Sequence, residues 1–165
     1  VLSARTHMGY LGKYGDKVGY SPFGRFIVGG SGLAGQGTFS LADQDIIGLR
    51  GYKDQQVGPL NASGYPASGG GIVYNKYIME LRYPVSLNPQ ATIFVLGFAE
   101  GGNNWGSYNE FNPFDLKRSA GVGARIFMPA FGLLGIDWAY GFDKIQGSPS
   151  KSGAQFHFTI GQQLR

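Results

Sequence analysis

Two stretches of the sequence decide the fold: Ser119-Ala-Gly-Val-Gly-Ala-Arg-Ile-Phe-Met128 and Leu133-Leu-Gly-Ile-Asp-Trp-Ala-Tyr-Gly-Phe142. In both, apolar side chains occupy every second position, and glycine, small or charged residues fill most positions between them. A period of two is typical of a β-strand whose two faces meet different surroundings. Each stretch is about ten residues long, which suits a tilted strand that crosses a bilayer.

The same alternation recurs in Val1–Tyr10, in Tyr74–Tyr83 and from Phe156 to Leu164. Thr92–Glu100 is apolar at nearly every position until Glu100. The sequence therefore predicts about six strands and no helix.

The two faces of these strands differ in polarity. One face is apolar, with the aromatic residues Tyr10, Tyr83 and Phe142 near strand ends, as in the interfacial girdles of membrane barrels. The other face carries many glycines and the following ionisable residues: Arg5, His7, Lys76, Glu80, Arg82, Arg125 and Asp137. A soluble β-sandwich, with its apolar face in the core, is the alternative interpretation.

The connections between the predicted strands differ in length. Pro84–Pro89 and Met128–Leu134 are short, whereas Lys13–Gly70, Gly101–Lys117 and Lys144–Gly153 are long and polar. Short turns at one rim and long loops at the other are typical of outer-membrane proteins. We therefore predict an all-β fold, an antiparallel transmembrane β-barrel.

The composition excludes several classes of site. The chain has 165 residues, no Cys and two His, His7 and His157, so no disulfide, thiolate metal site or cysteine nucleophile can form, and we expect no metal or cofactor. The net charge of +4 is spread along the chain, which argues against a nucleic-acid partner. Because a membrane barrel needs about eight strands, we expect further strands before Val1 or from other chains.

A long stretch between Tyr20 and Gly71 shows little alternation but contains the apolar segments Phe23–Gly30 and Ile46–Tyr52. In the second segment Gly48 and Gly51 flank Arg50, which favours a sharp turn with the guanidinium at its tip. The simpler alternative is a surface arginine in water.

Glu80 and Glu100 lie on the polar face of consecutive predicted strands. Two carboxylates in one enclosed lumen repel each other unless a cation lies beside them. Arg82 and Arg125 could provide that cation in a purely structural network. The sharper hypothesis is that the loop folds inward and Arg50 binds Glu80 or Glu100.

Ile47-Gly-Leu-Arg-Gly-Tyr52 resembles the (V/I)-R-G-(F/Y) motif at the tip of the inward-folded sixth extracellular loop of BamA-type outer-membrane assembly proteins, the bacterial surface antigen family. Five other segments are similar to this family in the same order: Phe26–Gly30, Met79–Pro84, Phe98–Trp105, Asp137–Phe142 and Phe156–Gly161.

The resemblance implies that residues 1–165 are the last six of sixteen barrel strands, with an inward-folded extracellular loop over about residues 20–71. It assigns a loop-tip motif to Gly48, Leu49, Arg50, Gly51 and Tyr52, and it makes Glu80 and Glu100 the lumenal partners of Arg50. It also assigns a closing strand with a β-signal to Phe156, Phe158, Ile160, Gly161 and Leu164.

The function implied is that of the core of the machinery that folds and inserts β-barrel proteins in the bacterial outer membrane, through a lateral seam and without covalent chemistry. The implied partners are nascent outer-membrane β-barrel proteins, accessory assembly lipoproteins and outer-membrane lipid. Four alternatives stay open: a related autotransporter-assembly or two-partner secretion translocase, a passive porin, an outer-membrane protease or lipase using His7 or His157, and the soluble sandwich.

Overall fold

The computed structural model describes residues 1–15, 19–21, 24–31, 45–61, 69–88, 91–129, 132–145 and 147–160. The regular elements among these residues are β-strands and a single 3₁₀ turn, Tyr108–Glu110. Within those ranges, no helix has the length and apolar character needed to cross a membrane.

The six strands that the alternation predicts form one antiparallel sheet, in the order β1-β4-β5-β6-β7-β8. These strands are β1 (Leu2–Tyr10), β4 (Val73–Asn88), β5 (Ala91–Trp105), β6 (Lys117–Met128), β7 (Gly132–Lys144) and β8 (Lys151–Ile160). The short strands β2 (Phe26–Val28) and β3 (Asp45–Ile47) form a separate parallel pair. The sheet is open, with β1 and β8 at its two edges.

The predicted turn at Pro84–Pro89 is wrong, because β4 continues through Asn88. Pro84 pairs with Phe94 and Asn88 pairs with Ala91, so the connection to β5 lies between Asn88 and Ala91. The register shifts between Pro84 and Ser86, and a proline is tolerated in a strand at such a bulge because a ladder hydrogen bond is already lost there.

Two predicted loops are also shorter than expected. Residues 101–105 belong to β5 and are all buried, so this part of the strand has no exposed face that would show alternation. Residues 151–153 belong to β8. Gly153 has a φ of 72°, and the β7–β8 register shifts between Gly141 and Lys144, so the local pairing is irregular.

The alternation gives the sheet a polar face that is buried and an apolar face that is exposed; we call them the inner and the outer face. Buried inner-face residues include Lys76, Glu80, Glu100, Arg125, Asp137 and His157. Exposed outer-face residues include Met8, Met79, Leu81, Val122, Trp138, Phe156 and Phe158. A soluble sandwich would bury the apolar face instead, so the exposure pattern favours contact with lipid.

Of the region between β1 and β4, the described residues 26–30 and 45–57 pack on the inner face. Phe26 and Gly71 exchange two backbone hydrogen bonds of 2.9 and 2.8 Å, and the Asn104 side-chain amide donates to the Phe26 carbonyl oxygen at 2.7 Å. The four side chains that form a small apolar core for this region are Val28, Leu49, Tyr52 and Val57. These contacts fix the loop against β4 and β5.

The two tryptophans test which outward positions of the sheet are exposed to lipid, since Trp105 has the parity of the outer face but is covered by other side chains. Trp138 is 41% exposed on the outer face, whereas Trp105 is 6% exposed and packs edge-on against Phe111 with 4.9 Å between ring centroids. In bilayers of brominated lipid we expect Trp138→Phe to remove lipid-dependent quenching of the fluorescence and Trp105→Phe to leave it. Quenching that depends on Trp105 alone would contradict the orientation of the sheet.

Candidate functional site

The loop tip is a closed turn that presents Arg50. The Leu49 amide donates to the Gly30 carbonyl at 3.0 Å, and the Gly30 amide donates to the Tyr52 carbonyl at 2.9 Å. Gly51 has a φ of 88°, in the left-handed region that favours glycine. A Cβ at Gly51 would also lie 2.8 Å from the Ser119 Cβ, so both the backbone angle and the limited space favour glycine at this position.

Arg50 is buried at the tip and contacts both carboxylates that the sequence selects. Its Nε donates to Glu100 Oε1 at 2.8 Å, and its Nη2 donates to Glu80 Oε1 at 2.7 Å and also to Glu100 Oε1. The Arg50 backbone amide donates to Glu100 Oε2 at 2.9 Å. The guanidinium carbon lies 3.6 Å from the centre of the Phe98 ring. We call Arg50, Glu80 and Glu100 the loop anchor.

The charge of Arg50 is favoured by its surroundings. Burial alone would lower the pKa of Arg50, but Glu100, together with Asp137 and Glu80, raises this pKa above its ordinary value. The guanidinium therefore stays charged in a site from which water is largely excluded, where hydrogen bonds to ionised groups are strongest.

Cations on the sheet itself also bind the two carboxylates of the loop anchor, as in the purely structural network considered above. Glu80 Oε2 accepts from Arg82 Nη2 at 2.6 Å and from Arg5 Nη2 at 3.3 Å. Lys76 Nζ lies 3.7 Å from Glu100 Oε1. Each carboxylate thus has a second cation on the sheet itself, and Arg50 adds the link to the loop.

Arg125, which the sequence offers as a cation for Glu80 and Glu100, binds a different carboxylate, that of Asp137. It binds Asp137 through two hydrogen bonds of 2.9 and 2.7 Å, and Asp137 Oδ2 lies 3.7 Å from Arg50 Nη1. A Cβ at Gly135 would lie 2.8 Å from Arg125 Nη1, so the glycine leaves room for this pair. Sequence reasoning placed Asp137 on the correct face but missed it as a third carboxylate near Arg50.

The loop tip also contacts the strands beyond β5. The buried Tyr52 hydroxyl donates to the Arg118 carbonyl at 2.8 Å, and burial raises the pKa of Tyr52 to about 12, so the hydroxyl remains a donor. The Gly51 amide donates to His157 Nε2 at 2.9 Å. Lys76 donates to the Gly48 carbonyl. The motif therefore contacts strands from β4 to β8.

The predicted closing strand corresponds to β8 at the edge of the sheet. Its outward residues Phe156, Phe158 and Ile160 are 65%, 61% and 67% exposed. They lie opposite Trp138, Ile136 and Leu134 on β7. Gly161 and Leu164 lie outside the described residues.

A sheet with a buried polar face, an exposed apolar face and a loop on the polar face is typical of a transmembrane β-barrel. The model of the Omp85 superfamily domain matches residues 1–164, and the chain belongs to this superfamily. Its members are outer-membrane proteins of bacteria and organelles that act in protein insertion and secretion. No curated protein matches the chain.

The loop anchor is tested by replacing its arginine in the intact protein. Arg50→Ala leaves two buried carboxylates with less compensation, and losing one partner of a buried ion pair costs about 3–5 kcal/mol. We expect residues 45–61 to become sensitive to protease. Arg50→Lys keeps the charge without the planar fork, so its protease sensitivity should lie between that of the unmodified protein and that of Arg50→Ala. Unchanged protease resistance in Arg50→Ala would contradict the anchor.

Gly51 is tested by adding a single methyl group. Gly51→Ala forces a strained backbone angle, which costs about 1–3 kcal/mol, and crowds Ser119. The loop tip should then show faster backbone hydrogen exchange. The control is Gly12→Ala, since no atom lies within 4 Å of a Cβ there. Equal exchange in the two variants would show that the turn does not need glycine.

Proposed function

We propose that the chain is the C-terminal part of the barrel of a bacterial assembly protein that folds and inserts other β-barrel proteins into the outer membrane. The observation that carries the proposal is the loop anchor, because it holds an inward-folded loop against the sheet through Arg50, Glu80 and Glu100. The resemblance of the loop tip to BamA-type proteins supports this role within a superfamily that covers both insertion and secretion.

The proposed mechanism uses the edge of the sheet as a template. A strand edge carries unpaired backbone N–H and C=O groups, and each such group left unsatisfied in lipid costs several kcal/mol. A nascent strand that pairs with β8 satisfies these groups by β-augmentation. The outward side chains Phe156, Phe158 and Ile160 would face lipid while pairing proceeds.

The loop anchor would keep the rest of the sheet in place during this exchange. It joins the loop to β4 and β5, while β8 has irregular pairing with β7 near Gly141 and Lys144. An edge strand beside a firmly held sheet is suited to accept a client strand and to release it. The proposed partners are nascent β-barrel proteins, accessory assembly lipoproteins and lipid, and the work requires no covalent step.

A related autotransporter-assembly or secretion translocase is the second candidate, since these proteins share the loop motif. In that case the loop would act as a plug for a translocation path. The loop tip on the polar face supports either of these functions over a passive porin, whose lumen must stay open.

The test is client folding by the full-length protein in proteoliposomes. Arg50→Ala should slow the appearance of folded, membrane-inserted client by about tenfold, equivalent to about 1.4 kcal/mol in a barrier. Arg25→Ala removes an arginine of the same region whose Nε donates only to the Ser21 carbonyl in the described contacts, and it should leave the rate unchanged.

The location of the client separates the candidates. Clients inserted in the membrane support the assembly role, whereas clients released across the membrane support the translocase. Normal client folding by an Arg50→Ala protein whose loop is demonstrably displaced would overturn the proposed function.

A further inference from the structure

His157 lies on the inner face of the edge strand β8, buried and directly opposite Asp137 on β7. Its Nε2 accepts the Gly51 amide at 2.9 Å. An imidazole nitrogen that accepts a hydrogen bond carries no proton, so this contact requires the neutral ring with its proton on Nδ1.

Two consecutive amides of the loop tip are therefore held by strands three places apart in the sheet. The Arg50 amide donates to Glu100 on β5, and the Gly51 amide donates to His157 on β8. The two amides belong to adjacent peptide units that meet at the Arg50 Cα, so a displacement of one contact changes the geometry of the other unless the Arg50 dihedral angles compensate. The loop tip thus spans the sheet between the anchor and the edge strand.

This contact matters because β8 has few neighbours. Among the described strands it pairs with β7 alone. The loop reaches it directly at His157 and again where Ser152 Oγ lies 3.1 Å from Gln56 Oε1, near the irregular end of the strand. Of these two contacts, the one at His157 is buried and lies within the regularly paired part of β8.

We propose that His157 is a positioning residue that couples the edge strand β8 to the loop tip. Movement of the loop tip then loosens β8, and a client strand that draws β8 away changes the state of the loop. The coupling to client folding rests on the proposed function; the coupling between His157 and Gly51 does not.

The test compares His157→Phe, which fills similar space without an acceptor, with His157→Gln, whose side-chain oxygen can take the place of Nε2. The full-length protein in bilayers is used for both. A net hydrogen bond of ordinary strength predicts that His157→Phe speeds exchange of the Gly51 amide by about fivefold, with faster exchange along β8. His157→Gln should restore slow exchange and the normal rate of client folding.

Exchange in His157→Phe that matches the unmodified protein, or His157→Gln that is as disruptive as His157→Phe, would overturn the coupling. If His157→Gln restores slow exchange of the Gly51 amide but client folding is normal in both His157 variants, the positioning role would be overturned. If Arg50→Ala also left client folding unaffected, the proposed function itself would fail.

A measurement on the unmodified protein covers the case in which the variants do not fold. In ¹⁵N-labelled protein, we expect an NMR scalar coupling across the hydrogen bond between the Gly51 nitrogen and His157 Nε2. We also expect His157 Nε2 to be unprotonated. A protonated Nε2 would overturn the proposed coupling of β8 to the loop tip.

Discussion

The structure depends on one buried cation. Arg50 reaches the inner face from a loop and binds carboxylates on two neighbouring strands, with its guanidinium against Phe98. Buried charges are expensive unless they are paired and hydrogen-bonded, so Arg50 requires Glu80 and Glu100, and it adds to the cations that these two carboxylates already have on the sheet. The result is a sheet whose polar face is completed by a segment from between β1 and β4.

The same requirement that buried charges be paired holds across the inner face of the sheet. Ionisable residues such as Arg125 and Asp137 are almost fully buried while Phe156 and Phe158 are exposed, which suits a protein with lipid outside and polar contacts inside. Glycine at Gly135 supports the arrangement because a side chain there would displace Arg125. The polar contacts give the loop one defined position, and they extend through the Gly51–His157 hydrogen bond to the edge strand β8.

Much of this could be predicted from the sequence, because period-two alternation fixes which residues share a face. That was sufficient to place Glu80 and Glu100 on the side that Arg50 reaches. Strand ends were harder to predict: Pro84 suggested a turn, but a bulge accommodates it, and residues 101–105 are covered on both sides and so show no alternation. The pairing of Arg125 with Asp137, and the Gly51–His157 contact, depend on register between strands, which one sequence does not fix.

A double-mutant cycle between Arg50 and Glu100 tests the central claim most directly. Arg50→Ala, Glu100→Gln and the combined variant would be compared by the free energy of loop opening, from backbone hydrogen exchange of residues 45–61 in the intact protein. The account predicts a coupling energy of about 2 kcal/mol or more, at the upper part of the range for directly interacting residues. Additive effects, with a coupling energy near zero, would contradict the view that this ion pair holds the loop on the sheet.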